Sequence, residues 1–175
     1  MFYLSTKLLH YSFMIFFQMM QYDAENLELK ICSNNHNLEE LKLLINKAYI
    51  YGEGDIIPWT LDGKNRLTAN SESLESYVLR NEIVIASYHK VIVGTLKLSP
   101  SSHVNNTEIG MVGQFAVDKK FRRFGIGKKL MDYGEKLAKT RGYVKLQIEI
   151  LYPMNFEHKI KKFLRDWYRA RLKFT

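Results

Sequence analysis

The chain predicts an α+β fold of the mixed α/β class, and three observations carry that prediction. Apolar residues alternate with period two in several short runs and recur at helical spacing in others. These runs follow an order that combines a hairpin meander with a strand-helix-strand unit. The third observation is size: 175 residues, 46% hydrophobic and 25% charged, with 10 Gly and 3 Pro, match one ordinary hydrophobic core and exclude disorder or collagen. Residues 21–175 are expected to form a single domain. Residues 1–20 are treated as an apolar N-terminal extension.

Residues 8–22, LLHYSFMIFFQMMQY, carry no formal charge but are shorter than the roughly 20 apolar residues that a spanning helix needs. His10, Gln18 and Gln21 interrupt them, and no small-residue cleavage site precedes Asp23. No membrane span and a cytoplasmic location are therefore expected. Leu27–Cys32 alternates and reads as a half-buried strand. Asn37, with Glu40 three residues on, forms a capping box ahead of a stripe of Leu38, Leu41, Leu44, Ile45 and Ala48. The stretch from Tyr51 to Arg66 is irregular, aromatic and rich in Gly and Asp, which marks a candidate binding loop.

A short helix around Ser73–Arg80 comes next. The runs Ile83–Tyr88 and Val91–Leu98 then read as a hairpin turning at His89-Lys90. A third run, Ile109–Val117, leads through a basic turn into a helical pattern of Leu130, Met131, Tyr133, Leu137 and Ala138 that stops at Gly142. Tyr143–Leu151 is predicted as a strand with Leu146, Ile148 and Ile150 on one face, and Ile160, Phe163, Leu164, Trp167 and Leu172 mark a last helix. Phe163 and Trp167 are expected in the core.

Charge is distributed unevenly along this order. Residues 119–175 hold 17 Lys/Arg against 5 Asp/Glu, whereas residues 1–118 hold 9 against 13. A basic last third suits a polyanionic ligand, a nucleic acid or an anionic membrane surface, and charge by itself does not choose among them. The single Cys32 allows no internal disulfide, and no Cys/His cluster has zinc spacing, so a reducing compartment and no metal are expected.

The stretch richest in chemical information is Val117-Asp-Lys-Lys-Phe-Arg-Arg-Phe-Gly-Ile-Gly-Lys-Lys-Leu130. It places Gly125 and Gly127 between a strand and a helix, where converging N–H groups and the helix dipole make a pyrophosphate cradle. A Rossmann fingerprint requires a third Gly where Leu130 stands, and a Walker loop requires a hydroxyl after Gly127-Lys128. Both motifs fail. The segment Arg122-Arg123-Phe124-Gly125-Ile126-Gly127 instead resembles the Arg/Gln-x-x-Gly-x-Gly/Ala acetyl-CoA signature of the GNAT superfamily of N-acetyltransferases. The resemblance extends through Leu44–Tyr49, Trp59-Thr60 and Phe163–Phe174, and so covers most of 27–174.

The resemblance implies a mostly antiparallel central sheet whose strand before the loop splays from the next one at the CoA site. It implies acetyl-CoA as co-substrate, an amine-bearing small molecule or peptide as acceptor, and direct transfer between them. Amides of residues 123–128 are expected to take the pyrophosphate, which assigns Arg123, Phe124, Gly125, Ile126, Gly127 and Lys128 to the cofactor site. Lys119, Lys120, Arg122 and Arg123 add charge. Phe115, Ala116 and Val117 lie on the strand whose edge pairs with the pantetheine arm, and an N–H there polarises the thioester carbonyl.

Tyr168 corresponds to the family's tyrosine near the CoA sulfur, with a general acid's role, or else is a core tyrosine. For the general base the family's position falls on Met111, which is no acid. Glu108 becomes the candidate if a bulge at Gly110 or Gly113 returns it to the site, with Glu149 and Glu53 as alternatives. Two departures stand out: Lys173 replaces a helix-ending Gly, and the two further strands usual in the family do not follow Thr175. A CoA-binding module without turnover is the alternative function. No nucleic-acid partner is expected, because the basic helices carry no recognition motif. The oligomeric state is left open, a dimer included.

Overall fold

A computed structural model describes residues 24–53, 67, 73–101 and 108–172. The elements are β1 (Leu27–Ile31), α1 (Leu38–Glu53), α2 (Leu74–Leu79), β2 (Ile83–Tyr88), β3 (Val91–Pro100), β4 (Ile109–Val117), α3 (Ile126–Thr140), β5 (Lys145–Ile148) and α4 (Lys159–Leu172). The five strands lie side by side in chain order. Neighbours in β1–β4 are antiparallel, and β4 and β5 are parallel because α3 crosses between them.

Helices cover both faces of the sheet. Ile83 and Ile85 of β2 pack with Leu41, Leu44 and Ile45 of α1, while Val84 and Ala86 pack with Leu130 and Met131 of α3 on the other side. The continuous apolar run of β2 is the signature of a strand buried on both faces. Cys32 lies in the α1-side core, where burial pushes its thiol up to about 11. Such a thiol is no nucleophile near neutral pH.

Local signals acted largely as their chemistry dictates. The Glu40 N–H donates to Asn37 Oδ1 at 3.1 Å, so Asn37 caps α1. The other half of the expected capping box is spent elsewhere: Glu40 Oε1 accepts from the Ile92 N–H at 3.0 Å, which ties α1 to β3. Ser73 caps α2. His89 and Lys90 both adopt positive φ, 47° and 68°, the mark of a two-residue type I′ turn built without glycine.

Three expectations are corrected. The last strand runs only from Lys145 to Ile148, not 143–151, because its pairing with β4 ends at Val112–Ile148 and nothing continues the ladder beyond. The bulge in β4 falls at Gln114 rather than at Gly110 or Gly113. Ala116 pairs with Thr95 and Gly113 with Lys97, so β4 holds one residue more than β3 over that interval, and Gln114 takes φ 44°. Phe163 is not a core residue. It is 64% exposed, because the face of α4 that meets the sheet carries Ile160, Leu164, Trp167 and Tyr168. The loop containing Asp55, Trp59 and Thr60, the Glu53 side chain, and Lys173 to Thr175 lie outside the described residues.

Candidate functional site

The parting of β4 from β5 creates the site. Their parallel ladder stops at Val112–Ile148, yet β4 continues for five residues to Val117. The Asp118 N–H donates to the Val93 carbonyl at 2.9 Å, so Asp118 faces β3. By strand alternation Ala116 also faces β3, while the backbone groups of Phe115 and Val117 point into the gap. The gap opens into a cleft of about 1230 Å³ walled by α1, β4, the turn after β4, α3, the end of β5 and α4.

The mouth of the cleft is the start of α3. Asp118 caps a single 3-10 turn, Lys119–Phe121, through the Lys120 N–H at 2.8 Å, and the chain then reverses through Arg123 at φ 71° and Gly125 at φ 76°. Gly125 is the N-cap of α3 and offers no side-chain acceptor. The first amides of α3 are thus left without a cap, at the positive end of a helix of 15 residues. Gly127 is needed for a different reason. A Cβ there would stand 3.2 Å from Phe115 Cζ, so its bare backbone lets α3 lie close on β4.

The basic residues of the turn are partly engaged already. Arg122 Nε donates to the Val117 carbonyl at 3.2 Å, and its guanidinium lies 4.5 Å from the centre of the Tyr51 ring. Lys119 Nζ is 5.1 Å from the same ring. Lys128 Nζ is 3.1 Å from Asp132, which leaves its backbone amide rather than its ammonium at the cleft mouth.

The inner wall is aromatic. Phe115 stacks on Trp167 at 5.9 Å, and Tyr168 meets Trp167 edge-on at 5.0 Å and Phe115 at 6.2 Å. Tyr168 is 5% exposed. Burial pushes its phenol well above the usual tyrosine range, and the neighbouring Tyr49 phenol adds to the shift. Arg171 anchors this wall to α3 by bonding Glu135 at 3.0 Å and Asp132 as well. That guanidinium holds the Asp132 carboxyl below the usual carboxylate range.

Phe115, Ala116, Val117, Arg122, Arg123, Gly125, Ile126, Gly127, Lys128 and Tyr168 all line the cleft. Phe124 does not, since its ring packs into the core on the α3 side. Glu108 does not either. It stands in the turn before β4, about 20 Å from Phe115 along the strand, and its carbonyl accepts from the Val144 and Lys145 N–H groups at the closed end of the β4–β5 pair. A single bulge changes which face a side chain takes, not how far along the strand it sits. Glu149, just past β5, does line the cleft. So do Tyr49, Tyr51, Gln114 and the buried Lys161, which sequence periodicity alone did not single out. The one available signal was a lone amide, Gln114, inside the apolar run of β4.

This arrangement has known counterparts. The family model for the acetyltransferase (GNAT) family matches residues 46–157, more than half of the chain. The chain belongs to that family. Among solved structures it is similar to the PaiA N-acetyltransferase of Thermoplasma acidophilum in complex with coenzyme A, with TM-score 0.62, 15% identity and coverage of 82% of this chain and 87% of that one. A GNAT-family acetyltransferase of Staphylococcus aureus Mu50 gives 0.58 at 19% identity, covering 82% and 81%. The aminoglycoside acetyltransferase meta-AAC0020, from an uncultured soil metagenomic sample, gives 0.55 at 20%, covering 84% and 88%. At these identities the likeness is one of fold. No curated protein matches the chain in sequence. Among the described residues no helix is long and apolar enough to cross a membrane, and no cluster of His, Cys, Asp and Glu could hold a metal ion.

Proposed function

We propose that the protein transfers an acetyl group from acetyl-CoA to a primary amine of a small molecule or peptide, by direct attack within a ternary complex. The observation that carries this reading is the opened β4–β5 pair with the uncapped N-terminus of α3 at its mouth. Those amides, with Arg122 and Arg123, suit a pyrophosphate. The backbone groups of Phe115 and Val117 that face the gap suit an amide-bearing arm laid along β4 as an added strand.

Chemistry follows from where that arm ends. An N–H of β4 donates to the thioester oxygen and stabilises the negative charge that develops there as the amine nitrogen bonds to the carbonyl carbon. The amine gives up one proton, for which Glu149 is the carboxylate at the cleft, and the C–S bond then breaks. Tyr168 donates its phenolic proton to the departing thiolate, and the products are the N-acetylated amine and the free thiol of CoA. A phenol whose pKa is raised stays protonated over the working pH range, as a proton donor must. The related PaiA structure holds coenzyme A, and meta-AAC0020 is described as an aminoglycoside acetyltransferase, which supports an amine acceptor without naming this one.

A second reading, CoA binding without turnover, is favoured by the position of Glu108 outside the cleft. Two measurements on the full chain decide between them: calorimetry with CoA, and thiol release from acetyl-CoA across a panel of amines and peptides. Binding with release is expected. Binding without release establishes the second reading, and no binding overturns both.

A further inference from the structure

Gln114 is the residue whose chemistry the site has not yet used. Its carboxamide oxygen is enclosed and has no hydrogen-bond partner among the described residues, and the residue is 8% exposed in the lining of the cleft. A buried amide oxygen without a donor is destabilising, because it has given up its hydrogen bond to water and gained none in return. Its backbone adds a second cost, because φ 44° is a left-handed conformation that a glutamine rarely adopts. Both features sit at the bulge, one residue past Gly113 and two past Val112, where β4 and β5 part.

The location specifies what the oxygen awaits. An arm whose phosphates rest at the start of α3 and whose amides lie along Val117 and Phe115 brings its acyl end to this apex, three residues or about 10 Å back from Val117. A thioester carries no hydrogen-bond donor. The attacking amine carries N–H donors, and these strengthen as positive charge grows on its nitrogen during attack.

We propose that the Gln114 side-chain oxygen accepts a hydrogen bond from the N–H of the acceptor amine and so aims its lone pair at the thioester carbon. This rests on the acetyltransferase reading above and deepens it by naming the group that meets the acceptor. The amide takes up no proton. Its role is positioning, and the proton leaves the amine for a base as before.

The test uses Gln114→Met, which keeps the length and the backbone demand but has no oxygen, and Gln114→Glu, which restores an acceptor. Four readouts are taken on the full chain: CoA affinity by calorimetry, melting temperature, thiol release with n-hexylamine and L-lysinamide, and the melting shift that each amine causes in the CoA-loaded protein. Gln114→Met is expected to bind CoA within about twofold of wild type, to melt at or above the wild-type temperature, and to lose at least about tenfold in kcat/KM for amines. The amine-dependent melting shift is expected to vanish with it. Gln114→Glu should recover part of both.

Wild-type turnover in Gln114→Met overturns the inference. So does a loss confined to CoA affinity, which would assign the oxygen to a pantetheine amide. A melting temperature several degrees lower also overturns it, since that marks a structural partner. A wild type that binds CoA but shows neither thiol release nor an amine-dependent shift overturns it while leaving CoA binding intact. Failure of wild type to bind CoA at all is the separate outcome that removes the underlying reading.

Discussion

Tyr168 shows how burial sets chemistry at a single residue. Enclosed by Trp167 and Phe115, its phenol resists ionisation, so the folded state holds its proton beyond the pH at which an unfolded tyrosine loses it. A pKa raised on folding contributes stability that is complete below the unfolded value and is lost as pH rises through the folded one. Wild type should therefore lose melting temperature above about pH 10 more steeply than Tyr168→Phe, while the two run parallel below it. In turnover, Tyr168→Phe should fall about 10²-fold at neutral pH with unchanged CoA affinity. Equal rates for the two proteins would leave the proton to solvent. Gly125 and Gly127 separate in the same way. Gly125→Ala has open space but a left-handed backbone, so it should cost about 1 kcal/mol and weaken CoA binding at the mouth of the cleft. Gly127→Leu drives into Phe115 and should lower the melting temperature as well as the affinity. Thermal melts and calorimetry on the pair distinguish strain from crowding.

At the scale of elements, the sheet owes its working shape to one extra residue and one early end. The bulge at Gln114 changes which side chains β4 sends to each face, so that Val112 packs toward α3 before it and Phe115 and Val117 after it. The four-residue β5 stops where that change begins. A longer ladder would close the gap. The β2–β3 hairpin offers a stabilising change distant from the site, since both turn residues already hold the positive φ that suits Asn-Gly. The double substitution His89→Asn with Lys90→Gly should add about 1 kcal/mol, seen as a rise of roughly 2–4 °C in melting temperature with no change in CoA affinity. A fall would show that the turn residues are held by contacts other than their backbone.

For the whole molecule, the basic last third of the chain contributes several cationic residues to the lining of the cleft. The turn after β4, the start of α3 and the start of α4 bring Arg122, Arg123, Lys128, Lys159 and Lys161 to its lining. The expected consequence is salt-sensitive CoA binding, because exposed charges are screened beyond about 10 Å at 0.1 M salt and about 3 Å at 1 M. Dephospho-CoA should bind more weakly than CoA and with a shallower salt dependence. Equal affinities at both salt concentrations for both ligands would make the basic turn a merely solvated surface.

Sequence alone determined the class of fold, the order of elements, the β2–β3 hairpin and the Arg122–Gly127 signature, because each is written in local periodicity or in contiguous residues. It also brought most of the loop and Tyr168 into view, through a family pattern carried on contiguous segments. Tertiary structure alone decided which carboxylate reaches the cleft. The sequence put Glu108 first and Glu149 second, yet Glu108 lies at the paired end of β4 and Glu149 beyond the point of divergence. It alone decided that Phe163 is left exposed at the lining of the cleft while Tyr168 is buried in its wall, since helical spacing marks an apolar stripe but not the azimuth at which the helix docks. It alone exposed Gln114, because a bulge arises from the pairing of two strands, and whether an amide oxygen finds a donor depends on everything that surrounds it in space.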